Sequence, residues 1–452
     1  MTSARPGDLT HLAELTGKSD EELHRWLQLG LLPADKDTPI AELVERAKLI
    51  AFAARRGVPP EEVARICYDQ GVDMLRPFVR WGTRRQQLAT FAKADAARRS
   101  GLAVEEVEAV WAAAGIRDQT YADAEDLEAL QMFSAALRFG LPLDVLLEIV
   151  RVYADAMGRA SDAVTRAFHL HVHDQFRVEG LSGNELMEAT ESIADPLIGL
   201  LEPAVLYFHR KSWVRASRDD LILHLLEEST TPGELARTIL FVDLASYAPL
   251  TEAMGDAAAA SVVARFADLV RANAAPRDGQ IVKQIGDEFM LAFATPDAAL
   301  RFGLNVHRDA ARETMFPGLR IGAHHGPVVH RDGDYYGATV NLAARVTAAA
   351  RRDQFLITEA VRRDAEDRPA TMAIGARPLK GISGEVDLFA VDLPTRPDRR
   401  VDPVCGMGVD PESTMALTVE WQSLRLVFCS EACRRRFHES PGTYASFDAD
   451  GR

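Results

Sequence analysis

The spacing of apolar residues divides the chain into two parts. From residue 1 to about 228, apolar side chains recur at helical intervals, as in ELVERAKLIAFAARRG (42–57) and DLEALQMFSAALRFGLPLDVLLEIVRVY (126–153). No convincing run in this part alternates between apolar and polar residues. Residues 1–228 are therefore predicted to form an all-α domain.

The pattern changes after residue 229. TILFVDL (238–244) is typical of a buried strand, TEAMGDAAAASVVARFADLVRAN (251–273) of a helix, and GQIVKQIGDEFMLAFA (279–294) of a hairpin with a Gly-Asp turn. The segments that follow give the order β-α-β-β-α-β-α-β with further strands at the end. Residues 229–395 are predicted to form an α+β domain, a mainly antiparallel sheet with covering helices over one face.

The segment LPTRPDRR (393–400) is typical of a linker, because two prolines and three arginines pack and pair poorly. Residues 401–446 then form a small, separate, cysteine-containing module. The whole chain is thus predicted to be multidomain.

The composition narrows the classes of function. Hydrophobic residues make up 47% and charged residues 26% of the chain, as in globular proteins, and the net charge of −15 argues against a general binder of nucleic acid or anionic membranes. The most apolar long stretch (193–208) contains two prolines and two acidic residues, whereas a membrane span needs about 20 apolar residues. The N-terminus has no apolar signal core. We therefore expect a cytoplasmic protein without nucleic acid or membrane partners.

Two carboxylates stand where the predicted strands end or turn. Asp243 follows a buried strand, and Asp287 lies in the Gly-Asp turn of the hairpin. Such carboxylates can hold a pair of Mg²⁺ or Mn²⁺ ions, which lower the pKa of an attacking hydroxyl and neutralise a leaving pyrophosphate. Taken singly, Asp243 could instead cap the following helix and Asp287 could serve only the turn.

Polar side chains suited to phosphate follow further along the chain. Arg320 lies in the strand segment RIGAHHG, and Asn341 and Arg345 are four residues apart on one helix face. A guanidinium is planar and permanently charged, which suits the equatorial oxygens of a pentavalent phosphorus. In isolation, NLAAR could also be an ordinary surface pair on an alanine-rich helix.

The motifs FVDLASY, IVKQIGDEFM, RIGAHHG, DYYGATVNLAARV and PLKGISGEVDLF occur in this order between about 239 and 391. Together they resemble those of the class III nucleotidyl cyclases. In that family two catalytic domains dimerise head to tail, with active sites at the interface. The resemblance implies a homodimer in which Asp243 and Asp287 of one chain bind two Mg²⁺ or Mn²⁺ ions and Arg320 contacts the phosphates.

The resemblance assigns other side chains to the partner chain. There Asn341 would orient the ribose, Arg345 would stabilise the transition state, and Lys283 and Asp334 would read the base. Lys380 resembles the lysine that meets the terminal phosphate. A lysine can donate to N1 of adenine and an aspartate can accept from its 6-amino group, whereas guanine presents the opposite pattern. The resemblance therefore implies ATP as substrate.

The first metal loop departs from the family pattern, Asp-x-x-Gly-Phe-Thr/Ser. Here Ser246 replaces the glycine and Ala248 lacks the hydroxyl. Ser246 can still offer its backbone N–H to phosphate, but with less conformational freedom than glycine. The departure bears on phosphate affinity rather than on the class of reaction.

The helical half resembles the regulatory domain of soluble, actinobacterial-type adenylate cyclases, where it inhibits the catalytic domain and responds to pH. AFHLHVHDQF places His169, His171 and His173 close together with Asp174 beside them. Histidines titrate near neutrality, so such a cluster could bias two packings as pH falls. A solvated or hydrogen-bonded histidine face and a metal site are the alternatives.

The segment ELTGKSDEELHRWLQLGLLP (14–33) also resembles the helix-turn-helix opening of MerR-type regulators. DNA binding would need a basic second helix. Here Asp20, Glu21 and Glu22 begin that helix, so a structural scaffold is the better interpretation.

VDPVCGMGVD (401–410) and LRLVFCSEACRRRFHESPGTY (424–444) closely resemble the YHS domain, a small module of metal-handling proteins. Cys429 and Cys433 are four residues apart near a helix start, and Cys405 can join them from the preceding turn. Three thiolates suit Zn²⁺ or Cu⁺.

The fourth ligand of such a site is open, with Met407 and His438 as candidates. Three reduced cysteines packed as small apolar groups are the structural alternative. A module of fewer than about 50 residues is short of core, which favours the metal.

The sequence as a whole predicts a homodimeric adenylate cyclase that converts ATP to 3′,5′-cyclic AMP and pyrophosphate. The helical domain would regulate this enzyme, and the C-terminal metal-binding module could regulate it as well. A guanylate cyclase, and a DNA-binding regulator that senses a nucleotide through an inactive cyclase fold, are the alternatives.

Overall fold

The structure is a computed structural model that describes residues 6–35, 37–83, 91–116, 119, 121–226, 235–313, 315–367, 369–393, 399–414 and 416–444. It divides into two units, Met1–His224 and Leu225–Arg452. Each unit has its own apolar clusters.

The first unit is helical, as the apolar spacing predicts. Its helices are α1 (Pro6–Thr16), α2 (Asp20–Gln28), α3 (Ile40–Arg55), α4 (Pro60–Gln70), α5 (Arg76–Thr83), α6 (Lys93–Ser100), α7 (Val104–Ala113), α8 (Ala124–Arg138), α9 (Leu143–Phe168), α10 (Asp174–Val178) and α11 (Gly183–Leu226). A π-helical turn, His169–His173, joins α9 to α10. The helical prediction misses one feature, the two-residue antiparallel pair of β1 (Phe91–Ala92) and β2 (Tyr121–Ala122).

The acidic start of α2 has a local cause. The Ser19 hydroxyl accepts a hydrogen bond from the Glu22 N–H at 3.2 Å, and the Glu22 carboxylate accepts one from the Ser19 N–H at 3.0 Å. Acidic side chains in a first turn also complement the helix dipole. Asp20, Glu21 and Glu22 therefore stabilise the start of this helix.

The second unit is built on an eight-stranded sheet. The sheet consists of β3 (Leu235–Leu244), β4 (Gln280–Ile285), β5 (Glu288–Phe293), β7 (Leu319–Arg331), β8 (Asp334–Tyr336), β9 (Gln354–Thr358), β10 (Thr371–Pro378) and β11 (Glu385–Val391), and the short strand β6 (Met315–Pro317) precedes β7 in the chain. Its helices are α12 (Tyr247–Met254), α13 (Asp256–Ala274), α14 (Pro296–Arg312), α15 (Ala338–Ala349) and α16 (Glu359–Asp364), with a 3₁₀ turn at Ala275–Arg277.

The strands of this sheet run in the order β10-β11-β9-β7-β3-β5-β4, and β8 pairs with β7. Only the pair of β7 and β9 is parallel among these neighbours. The predicted antiparallel character and the hairpin at Gly286 and Asp287 are confirmed. β6 lies outside this sheet.

Helices cover both faces of the sheet, so the prediction of a single covered face is wrong. Leu240 and Val242 of β3 share an apolar cluster with Phe266 of α13, whereas Phe241 shares another with Ala343 of α15. Alternate residues of a strand point to opposite faces. β3 is a continuous apolar run because both of its faces are buried.

Gly322 allows α15 to approach β7 closely. A methyl group at this position would overlap the backbone nitrogen of Thr347. The Thr347 hydroxyl also lies 3.4 Å from the Gly322 carbonyl oxygen, to which it donates. The glycine therefore sets the spacing between the sheet and the helix that carries Asn341 and Arg345.

The C-terminal segment packs into the same unit. It comprises β12 (Arg400–Val401), β13 (Met407–Val409), β14 (Leu417–Trp421), β15 (Leu424–Phe428), α17 (Glu431–Glu439) and α18 (Pro441–Tyr444). β13 pairs antiparallel with β6, and Phe316 shares one apolar cluster with Phe428 and Phe437. Of the expected linker, residues 394–398 lie outside the described residues. The small module therefore shares a core with the α+β sheet instead of standing apart from it.

Candidate active site

Three charged side chains form a row across the middle of the sheet. Asp243, near the end of β3, lies opposite Glu288 of β5 on one side and opposite Arg320 of β7 on the other. A guanidinium nitrogen of Arg320 donates a hydrogen bond to a carboxylate oxygen of Asp243. Because the N-cap of α12 is Ser246 and no side chain caps it, the helix-capping alternative for Asp243 does not hold.

Asp287 brings a third carboxylate to this row from the turn between β4 and β5. Burial and the Asp243 carboxylate raise the pKa of Asp287 to about 6. Burial, Asp243 and Asp287 raise the pKa of Glu288 to about 7. Three carboxylates held together and partly out of water repel one another, and a divalent cation with oxygen ligands relieves that repulsion. This donor set fits Mg²⁺ or Mn²⁺.

Glu288 is a candidate ligand or positioning group that the sequence analysis missed. Its position directly after Asp287 in the motif GDE could have suggested a role in the site. Only the strand register shows that Glu288 lies opposite Asp243. The buried Nε of Arg320 has no hydrogen-bond partner among the described residues. This donor is unsatisfied beside the carboxylates and suits an anionic ligand.

The loop after Asp243 has the backbone that a glycine would adopt most easily. Ser246 has φ 72° and ψ 32°, in the left-handed region. A non-glycine residue there costs roughly 1–2 kcal/mol. The sequence analysis expected Ser246 to have less conformational freedom than glycine. In the structure its backbone is strained, and the surrounding residues hold it in that conformation.

Lys283 and Asp334 form a second group. The Lys283 Nζ of β4 donates a hydrogen bond to Oδ2 of Asp334, at the start of β8. Both side chains are half-buried. The two residues assigned to base recognition therefore meet within one chain.

Asn341, Arg345 and Lys380 do not join either group within one chain. All three are exposed, the first two on the outer face of α15 and Lys380 between β10 and β11. Among the described residues, none of these side chains has a hydrogen-bond or ion-pair partner. They are available to a ligand or to another chain.

The three C-terminal cysteines converge, and a fourth group joins them. Cys405, Cys429 and Cys433 are buried with Asp402, and their ligand atoms all lie within 4.8 Å of one another. Cys429 Sγ lies 3.4 Å from Cys405 Sγ and 3.7 Å from Cys433 Sγ. The sequence VDPVC placed Asp402 three residues before Cys405, but its role depends on the fold. We find His438 exposed on α17 and outside this group.

The other candidate fourth ligand, Met407, is buried in β13. The group that joins the cysteines is Asp402. The surrounding backbone holds its carboxylate in place, because the N–H groups of Val404 and Cys429 each donate a hydrogen bond of 2.8 Å to it. The thiols of Cys405 and Cys429, as hydrogen-bond donors, hold the pKa of Cys433 well below its ordinary range.

The histidine segment in the first unit forms a stacked pair. The rings of His169 and His173 lie 4.9 Å apart, which confirms that they share a face. His173 Nδ1 lies 3.3 Å from the Thr190 hydroxyl, and His169 Nε2 lies 3.8 Å from Asp174. Burial and the neighbouring His169 lower the pKa of His173.

Comparison with known proteins gives consistent matches. Residues 234–391 match the family model described as the adenylate and guanylate cyclase catalytic domain. The chain is 26% identical over 324 residues to an adenylate cyclase of Glutamicibacter nicotianae, with 67% of this chain and 78% of the relative covered.

Two further relatives have similar coverage. A pH-sensitive adenylate cyclase of Mycobacterium tuberculosis is 26% identical over 374 residues, covering 77% of this chain and 88% of the relative. An adenylate cyclase of Streptomyces coelicolor is 29% identical over 294 residues, covering 62% of this chain and 73% of the relative. Among the described residues, we find no helix that combines the length and apolar character needed to cross a membrane.

Residues 234–391 are thus similar to the adenylate and guanylate cyclase catalytic domain, and the curated relatives support an enzyme of the adenylate cyclase type.

Proposed function

We propose that this protein converts ATP to 3′,5′-cyclic AMP and pyrophosphate in the cytoplasm. The observation that carries the proposal is the meeting of Asp243, Asp287 and Arg320 at the ends of neighbouring inner strands of the domain that matches the cyclase family. The relatives named as adenylate cyclases support the choice of reaction. The Lys283–Asp334 pair, whose donor and acceptor match adenine, supports ATP as substrate.

The reaction forms a bond between the ribose 3′-oxygen and the α-phosphorus and breaks the bond from that phosphorus to pyrophosphate. Two Mg²⁺ or Mn²⁺ ions, when bound, supply the charge that activates the hydroxyl and neutralises pyrophosphate. Asp243 and Asp287 would hold them, with Glu288 beside the pair. Arg320 would bind phosphate oxygens through the guanidinium nitrogens that Asp243 does not occupy.

We also propose a homodimer with two shared sites. Asn341, Arg345 and Lys380 are exposed and unpaired among the described residues of one chain, which suits delivery to the site of a second copy. There Asn341 would orient the ribose and Arg345 would stabilise charge on the phosphorus oxygens. A twofold arrangement gives two equivalent sites.

The helical domain at 1–228 is proposed to inhibit the catalytic domain at 229–395. The stacked His169 and His173 support a pH response, since protonation of both would place two positive charges 4.9 Å apart. The segment at 401–446 is proposed to be a YHS-like metal or redox module.

The test is turnover of ATP and GTP by the purified full-length chain with Mn²⁺, at acid and alkaline pH. We expect cyclic AMP from ATP and little product from GTP. Asp287→Ala should lower turnover by at least about 10³-fold, because a metal ligand is lost. Asp268→Ala, an exposed aspartate of α13, is the matched control and should retain turnover. An active Asp287→Ala chain would contradict the two-metal assignment.

A further inference from the structure

The C-terminal cysteines and Asp402 have the spacing of a closed metal site. Zn²⁺ with sulfur ligands at about 2.3 Å in a tetrahedron places its sulfurs about 3.8 Å apart. The sulfur of Cys429 lies 3.4 Å from that of Cys405 and 3.7 Å from that of Cys433, and all four ligand atoms lie within 4.8 Å. Small side-chain movements would bring these atoms onto one ion.

The charge of the site also favours a cation. Asp402 is fully buried, and no lysine or arginine in the described part of the chain forms an ion pair with it. A buried carboxylate beside thiols lacks a counter-charge, and burying an unpaired charge is unfavourable. A divalent cation supplies the counter-charge. The oxygen ligand favours Zn²⁺ over Cu⁺, which prefers soft sulfur donors.

The segment that carries Cys405 touches the loop that follows Asp243. Gly406, next to Cys405, packs against Ser246 so closely that a methyl group on Gly406 would overlap the serine Cβ and lie 2.8 Å from its Oγ. Arg352 Nη1 donates a hydrogen bond of 2.6 Å to the Gly406 carbonyl oxygen.

The far side of the loop is fixed by the sheet. The Ala245 N–H donates a hydrogen bond of 2.8 Å to the Gly318 carbonyl oxygen, directly after β6. β6 in turn pairs with β13, which begins at Met407, one residue after Gly406. The loop with Ser246 and its left-handed backbone is therefore held between Gly318 on one side and Gly406, the residue after Cys405, on the other.

We propose that Asp402, Cys405, Cys429 and Cys433 bind one Zn²⁺ ion, and that the filled site holds Gly406 against Ser246 and so positions Asp243. Loss of the ion loosens residues 402–407 and, through Gly406, the catalytic loop. The consequence for turnover rests on the proposed cyclase function, whereas the metal site and its effect on the loop do not.

The first experiment measures metal binding by the full-length chain. Co²⁺ added to the zinc-depleted protein should give one sulfur-to-cobalt charge-transfer band per chain, displaced by stoichiometric Zn²⁺. Cys405→Ser should lose the band, and Cys67→Ser, a half-exposed cysteine outside the cluster, should keep it. Absence of the band, its survival in Cys405→Ser, or preferential uptake of Cu⁺ would each overturn the proposal. So would a Cys405–Cys429 disulfide as the stable state under reducing conditions.

The second experiment measures the coupling without relying on catalysis. Amide hydrogen exchange of residues 244–247 should slow at least about 10-fold when Zn²⁺ is added to the zinc-free chain, because the loop is held in place. In Cys405→Ser, Zn²⁺ should leave that exchange unchanged. Equal exchange with and without Zn²⁺ in the native chain would overturn the coupling even if cyclic AMP is made.

A steric variant tests the contact itself. Gly406→Ala should retain the cobalt band and lower cyclic AMP turnover at least about 10-fold. The Ser246→Gly change removes the serine Cβ and Oγ, which lie opposite Gly406. In that background Gly406→Ala should lower cyclic AMP turnover less than about 3-fold, because the effects of the two substitutions are coupled. Equal losses in both backgrounds would show that Gly406 does not act through Ser246.

Discussion

Lys283 donates a hydrogen bond to Asp334, although 51 residues separate them in the chain. One lies on the edge strand β4, and the other begins the short strand β8. The pair places a donor and an acceptor side by side, as the edge of adenine requires. An adenine base would have to share or replace this hydrogen bond.

Removal of either partner should weaken selection of the base. Lys283→Ala and Asp334→Ala should each lower kcat/KM for ATP by about 10²-fold, because a hydrogen bond to the base is lost and its partner is left unpaired. The value for GTP should change less, so the ATP preference falls. Lys93→Ala, which breaks an exposed pair with Glu108, is the control and should change neither value. An unchanged ratio of the two values would contradict base recognition by this pair.

Mixing inactive chains should test the shared site. Asp243→Ala and Arg345→Ala chains are each expected to be inactive, but a heterodimer keeps one site with both residues intact. Random mixing of equal amounts should restore about a quarter of the native activity. The measurement is cyclic AMP formation after co-refolding or co-expression.

The control mixture combines Asp243→Ala with Asp287→Ala. Both residues belong to the metal-binding half of the site. Each chain of this heterodimer therefore has a defective metal-binding half, and no activity should return. Rescue in this control, or its absence in the first mixture, would count against the interface arrangement.

The stability of the metal-free protein should fall as pH rises. The folded-state pKa values of Asp287 and Glu288, about 6 and about 7, lie above their ordinary values. The folded chain therefore binds more protons than the unfolded chain between about pH 4 and pH 7, and this contribution to stability is lost as pH rises through that range. Urea unfolding in a chelator should show the fall, and Glu288→Gln should reduce it. The stabilisation by Mn²⁺ should grow over the same pH range, because protons compete with the ion.

The close approach of α15 to β7 should make Gly322 intolerant of substitution. Gly322→Ala should lower the free energy of unfolding by about 1–3 kcal/mol, since the added methyl group overlaps the Thr347 backbone. Gly199→Ala is the matched control, because this glycine lies within α11 with open space around it. That change should stabilise its helix by up to about 1 kcal/mol. Equal effects from the two changes would refute the steric role of Gly322.

Deletion of residues 1–228 should raise turnover if this part inhibits the catalytic domain. The comparison is kcat of the full-length and shortened chains at the same Mn²⁺ and ATP concentrations. Lower turnover in the shortened chain would instead indicate activation by the helical part or support of the dimer.

The local features of the sequence predicted much of the fold. The hairpin at Gly286 and Asp287 and the helix with Asn341 and Arg345 follow from short-range apolar patterns and turn residues. The motif order also pointed to Asp243, Asp287 and Arg320, which the structure brings together in the candidate site. These elements can be recognised from the sequence because they depend little on contacts with distant parts of the chain.

The features that sequence analysis missed depend on distant contacts. Glu288 faces Asp243 only through the register of β5 against β3. Asp402 joins the cysteines only after the segments around Cys405 and Cys429 have met. The three-residue strand β6 is too short to show a period, so its pairing with β13 could not be expected.

The pairing of β6 with β13 also bears on the order in which the protein is made. A growing chain that has emerged only as far as β11 contains the complete eight-stranded sheet but lacks the partner of β6 and the side chains that cover Phe316. An open strand edge and an uncovered apolar surface favour unwanted association. We therefore expect the catalytic domain to stay exposed to chaperones or to neighbouring nascent chains until translation has passed the residues of β13.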